Sequence, residues 1–240
     1  MPDPSNAYWS LMGRAAMMEH MTRVLIALTS HSQLGDTGRS TGFYAGEAAE
    51  PWTVFKNAGY DVELVSVAGG KPPVDGADEA DPDQKQFFAE ADVEHTKTAA
   101  ELTATDYDAI FYAGGHGAMW DFPGDKDLAS LAAGIYENGG VVAAVCHGPA
   151  GLVELKLSDG SYLVDGKNVA GFTNSEENAV GLTEVVPFLL ADELTARGAI
   201  HHPAADFTDQ VVTDGRLVTG QNPASARSTA TAVKAGFDKN

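Results

Sequence analysis

The 240-residue sequence holds one cysteine, Cys146. No intramolecular disulfide can form, and a zinc site built from several thiolates is excluded. Such a chain suits a reducing compartment, so the expected location is the cytoplasm. Basic residues are scarce: 15 Lys and Arg stand against 34 Asp and Glu, a formal net charge of −19. That surface repels phosphate backbones and anionic headgroups, so no nucleic acid and no membrane are expected as partners. Long apolar runs are missing too, and nothing approaches the roughly 18 residues of a membrane-spanning helix. Residues 1–21 lack a basic segment followed by an apolar one, so they read as a weakly helical N-terminal extension and not as a signal peptide. Neither the P-loop nor the dinucleotide-binding glycine pattern occurs.

The charge lies outside the net magnitude of about 2–8 common for small soluble domains. It fits two settings: a high-salt environment that screens self-repulsion, or an ordinary acidic cytosolic protein. Hydrophobic residues make up 44% of the chain, enough for a packed core, and residues 22–240 are expected to form one domain.

Along those residues, short apolar runs alternate with helical spacing. Val24 to Leu28, Val62 to Val67, Ala109 to Ala113 and Val141 to Val145 read as buried strands. Helices are expected over Phe43 to Asn57, where Pro51 should kink or interrupt the turn, and over Gln84 to Ala91, Asp127 to Asn138, Pro187 to Ala196 and Ala224 to Phe237. Asp-Gly pairs between apolar residues predict hairpins at Leu163 to Lys167 and at Val211 to Val218. The alternation implies right-handed crossovers and an α/β fold with a parallel sheet. Ligands bind such sheets beyond the carboxyl ends of the strands.

One segment carries chemistry. The strand Val141 to Val145 runs into Cys146-His147-Gly148-Pro149, with the small residues Ala144 and Gly148 two positions to either side of the cysteine. This is the layout of a nucleophile elbow with Cys in place of Ser. A lone cysteine is ordinarily a small buried hydrophobe; the elbow sets Cys146 apart as a reactive thiol. A helix beginning at Pro149 would favour thiolate and lower the thiol pKa below about 8.5. His147 is placed to act as base or as imidazolium partner and needs a third group to orient it. Spacing alone does not choose that acid. Gly114-Gly115 ends the third strand where a backbone must approach a ligand closely.

Together with Ala144–Leu152, the segments Thr41–Trp52, Phe111–Asp125 and Thr213–Ala226 resemble the ThiJ/PfpI superfamily. The likeness covers roughly residues 22–238 and is narrowest to the small heat-shock chaperone and glutathione-independent glyoxalase (glyoxalase III) branch. The resemblance implies a flavodoxin-like doubly wound, mainly parallel sheet with helices on both faces, of the class I glutamine amidotransferase-like kind. It implies a cysteine-nucleophile lyase of the D-lactate dehydratase type, taking methylglyoxal or a similar small 2-oxoaldehyde to a 2-hydroxy acid. By the same resemblance, Cys146 is the nucleophile, His147 its histidine, Glu47 the carboxylate against the thiol, and Glu177 the triad acid. Glu176 leaves that last register open by one. The amides of Gly115 and His147 would form the oxyanion hole, Gly114 and His116 would face substrate, and Trp120 with Tyr44 or Phe43 would wall the pocket. His116 could equally cap its loop. No cofactor and no metal are expected: His201-His202 are adjacent and poorly spaced as ligands. Family members are usually dimers, so a homodimer is expected. The competing functions are a stress-response holdase with an oxidation-sensing cysteine and a cysteine hydrolase (peptidase or protein deglycase).

Overall fold

A computed structural model describes residues 21–238; the helical reading of residues 1–20 lies outside them. Six strands form the main sheet: β1 (Arg23–Leu28), β2 (Asp61–Ser66), β3 (Ala109–Tyr112), β4 (Val141–Val145), β5 (Val211–Asp214) and β6 (Leu217–Gly220). Their order is β2-β1-β3-β4-β6-β5, parallel except for β5, which pairs antiparallel with β6. Strands β3 and β4 are buried along their whole length. Sheet faces covered by helices demand such continuous apolar runs instead of alternation.

The helices are α1 (Ala45–Asn57), α2 (Pro82–Glu90), α3 (Lys126–Glu137), α4 (Asn174–Ala179), α5 (Leu190–Ala196) and α6 (Ala226–Phe237). Helices α1 and α6 pack together and on the sheet, α2 packs outside α1, and α3 lies on β3 and β4. Starts are chemically marked. The side chains of Asp81 and Asp125 accept from the first free N–H groups of α2 and α3, which an N-cap carboxylate does best.

Several expectations fail, and the helix expected from Pro187 begins only at Leu190. Helix α1 runs through Pro51 without a break. Proline there removes the hydrogen bond to the Glu47 carbonyl and crowds it with its ring, and the buried flank of α1 against α2, α6 and the sheet holds the helix together. Phe43 and Tyr44 are not helical; they form a two-residue strand paired with Val74–Asp75. The hairpin at Leu163 to Lys167 does not exist. Leu163 and Val164 are buried in the core, Gly166 turns the chain with φ +70° and donates to the Gly198 carbonyl, and Asn168–Val169 pairs with distant Ile200–His201. The second Asp-Gly pair does make its hairpin, with Gly215 at φ +61° between the paired residues Asp214 and Leu217.

Candidate active site

Strands β3 and β4 end side by side, and their exits build the site. After β4 the chain turns at Cys146, which has φ +60°. Left-handed backbone is unusual for a residue with a side chain, and neighbours hold this one in place. The Cys146 N–H donates to the Gly220 carbonyl at 3.0 Å, and its carbonyl accepts from Phe172 at 2.9 Å. A Cβ at Gly148 would lie 2.3 Å from the Tyr112 carbonyl oxygen of β3. The elbow can therefore press this close to the sheet only with glycine there.

Beyond His147 the chain forms a short 3-10 segment, Gly148–Leu152, not the α-helix expected at Pro149. The thiol is buried as well. Its pKa is raised, first by burial and then by Glu47, with the amides of His147 and Gly115 opposing. The expected lowering by a helix terminus is thus reversed: loss of water outweighs two N–H donors when no long helix stands behind them.

Glu47 sits in the first turn of α1, fully buried. Neither carboxylate oxygen has a well-formed hydrogen bond, and its nearest polar neighbours are Cys146 and the backbone of Gly114. A Cβ on Gly114 would fall 2.2 Å from Glu47 Oε2 and 2.9 Å from Cys146 Cβ, so Gly114 is the gap through which carboxyl and thiol meet. Burial pushes the Glu47 carboxyl up to about 8. At neutral pH it holds its proton.

His147 also reaches the sulfur. Its Nδ1 lies 3.4 Å from Sγ, and its Nε2 lies 2.7 Å from Glu177 Oε2. His116 Nε2 reaches the second oxygen, Oε1, at 2.9 Å. Burial opposes ionisation of Glu177, yet the hydrogen bonds from both imidazoles hold it down at about 2. An ionised carboxylate only accepts, so His147 carries its proton on Nε2 and turns the Nδ1 lone pair to the thiol. Burial, then His116, lowers His147 to about 4; the ring is neutral at rest.

Glu176 points elsewhere. It closes the capping box of α4 with Thr173 and accepts from Gln221, Asn222 and the Phe207 amide. Among the described residues, His116, His147 and Glu177 are also the one set of metal-binding types whose ligand atoms lie within 4.8 Å of one another. Each Glu177 oxygen already accepts an imidazole N–H, so a cation would have to displace both bonds.

A cavity of about 400 Å³ opens onto these groups, lined by Cys146, His147, Glu47, Gly115 and His116. Tyr44 lines it too. Phe43 faces the core against Phe87, and Trp120 stacks on His31 outside the cavity. Sequence reasoning passed over Phe172, Val180, Leu182 and Phe207, which complete its apolar wall.

The model of the DJ-1/PfpI family matches residues 40–234. The chain belongs to the DJ-1/PfpI family. Within the family it is 39% identical, over 87% of its length and 94% of the relative's, to the glutathione-independent glyoxalase HSP31 of Saccharomyces cerevisiae. Among DJ-1/PfpI structures it matches glyoxalase III of Candida albicans with a TM-score of 0.85 and 35% identity, covering 92% of this chain and 99% of that one. The rapid encystment protein of Francisella tularensis matches with a TM-score of 0.86 and 36% identity, over 90% and 99% of the two chains. Among the described residues, no helix is long and apolar enough to cross a membrane.

Proposed function

We propose that this chain is a glutathione-independent glyoxalase, a lyase that converts methylglyoxal or a similar 2-oxoaldehyde to a 2-hydroxy acid through a hemithioacetal on Cys146. One observation carries the reading. The sulfur stands between a neutral imidazole with its lone pair turned toward it and a buried carboxyl raised to about 8, a base and an acid ready at neutral pH. The glyoxalase names of two similar proteins support it.

The protonation states dictate the steps. Sγ adds to the aldehyde carbon while its proton passes to His147 Nδ1, leaving an imidazolium paired with Glu177. The new oxyanion lies at the N–H groups of Gly115 and His147, worth about 3 kcal/mol each in such a setting, and takes the Glu47 proton. Glu47, now a carboxylate, removes hydrogen from that same carbon while the imidazolium protonates the neighbouring ketone oxygen. The resulting enediol takes the Glu47 proton at the second carbon and gives its first hydroxyl proton to His147, which leaves a thioester. Water then attacks with Glu47 as base. The thiolate departs, takes the His147 proton, and the 2-hydroxy acid leaves with the resting enzyme restored.

The test is lactate formation from methylglyoxal without added glutathione. Wild type is expected to turn over, and Cys146→Ser to lose about a thousandfold or more, as when a covalent nucleophile is removed. Equal rates in the two proteins would sink the reading.

A further inference from the structure

Only one part of a 2-oxoaldehyde is left free by the proposed reaction, the substituent on the ketone carbon, and the cavity has room for more than the smallest one. Methylglyoxal has three carbons, whereas about 400 Å³ lies within the roughly 300–1,000 Å³ typical of sites for much larger ligands. Among the described residues six large apolar side chains are exposed, and three of them, Tyr44 at 36%, Val180 at 42% and Phe207 at 48%, line this one cavity. Clustering of exposed apolar groups marks a binding surface where scattered ones do not.

Phe207 is the unusual member. It and Cys146 are the two non-glycine residues with positive φ among the described residues, Phe207 at +57°. A bulky residue adopts that backbone only when its surroundings enforce it. Its N–H is held by Glu176, fully buried, whose Oε1 accepts from the Phe207 N–H at 2.8 Å and from Gln221 and Asn222 at 3.0 and 2.8 Å. The ring so placed meets Phe172 edge-on at 6.3 Å, and Phe172 lies 4.3 Å from the His147 ring. An aromatic wall therefore runs from the catalytic imidazole to the cavity mouth. The same turn of α4 supplies Glu177 to the histidines and Glu176 to this wall.

We infer that Phe207, with Phe172 and Val180, forms a subsite for a large apolar or aryl substituent, and that Phe207 determines specificity among 2-oxoaldehydes. This rests on the glyoxalase reading. The test uses the full chain and compares kcat/KM for phenylglyoxal, methylglyoxal and a hydroxymethyl-substituted 2-oxoaldehyde. Phe207→Asn removes the ring while keeping a residue that tolerates left-handed backbone; Phe207→Tyr keeps the ring. The phenylglyoxal to methylglyoxal ratio is expected to fall about tenfold in Phe207→Asn, the scale of a lost apolar contact in a pocket, and to hold in Phe207→Tyr. An unchanged ratio in Phe207→Asn overturns the subsite. So does a wild-type preference for the hydroxymethyl substrate, which the polar lining residues Arg39 and Asp75 would favour. Wild type inactive on every aldehyde overturns the glyoxalase reading and the subsite with it, whereas turnover with an unaltered ratio overturns the subsite alone.

Discussion

On the proposed mechanism, Glu47 is the residue on which chemistry and stability meet. Its carboxyl is raised from 4.5 to about 8 by burial, so the folded state keeps a proton that the unfolded state gives up between those values. Stability from this group is therefore fully present below pH 4.5 and is lost as pH rises toward 8, at up to about 1.4 kcal/mol per pH unit. His147 works in the opposite sense. Lowered from 6.5 to about 4, it contributes stability above pH 6.5 that is lost as pH falls to 4. The imidazole contributes equally to wild type and to a Glu47 variant, so the difference between the two proteins between pH 6.5 and 8 isolates the Glu47 slope. Glu47→Gln has nothing to titrate. Urea unfolding at pH 6.5 and 8 is expected to show the variant gaining on wild type by about 1–2 kcal/mol over that window, together with a loss of turnover of at least about a hundredfold. Parallel stability in the two proteins at both pH values would mean that Glu47 ionises as an exposed carboxyl does.

At the scale of elements, the site depends on how closely β3 and β4 end, and the glycines there are not equivalent to those elsewhere. A Cβ at Gly114 meets the Glu47 carboxyl at 2.2 Å and the Val145 carbonyl at 2.7 Å, whereas a Cβ on Gly236 in α6 would meet nothing within 4 Å, and Gly236 has no positive φ. Gly114→Ala is expected to cost about 1–3 kcal/mol, the range for overpacking, and to separate carboxyl from thiol with loss of activity. Gly236→Ala should gain about 0.5–1 kcal/mol from helix propensity, both read by denaturant midpoint. The strand Val141 to Val145 and the elbow beyond it were legible in the sequence, because a buried run, small flanking residues and a proline are local signals. The two Asp-Gly pairs show where legibility stops. They carry the same turn chemistry, but only the pair in 211–218 has flanks that pair with each other; Leu163 and Val164 are claimed by the core. The contact of His116 with Glu177 joins positions 61 residues apart, and the choice of Glu177 over Glu176 depends on how α4 is rotated by its capping box. Neither is written in local spacing. Phe207 carried no signal at all, since its positive φ and its N–H bond to the distant buried Glu176 exist only in the folded chain.

Over the whole molecule, the excess of 34 acidic over 15 basic residues is too large for ion pairs to absorb. The pairs that do form are mostly at the surface, such as Lys71 with Glu94 and Arg197 with Glu154, where each contributes about 0–1 kcal/mol. The remaining negative charge raises the energy of the compact state relative to the expanded one. Salt relieves such repulsion by shortening the screening length from about 30 Å at 0.01 M to about 10 Å at 0.1 M and about 3 Å at 1 M. Most of the relief therefore arrives early in a salt series, whereas preferential exclusion of salt from apolar surface grows steadily with concentration. Melting is expected to shift upward by about 2–4 °C for each kcal/mol of relieved repulsion, with most of the rise reached by a few tenths molar NaCl. A series from 0.01 to 1 M, followed by circular dichroism, separates the two causes by curvature. A steady climb to 1 M assigns the gain to burial of apolar surface, and a flat series shows that the charge is spread widely enough to leave the fold unstrained. Turnover in the same series adds a second reading: methylglyoxal is uncharged, so its kcat/KM should stay level with salt while Tm climbs.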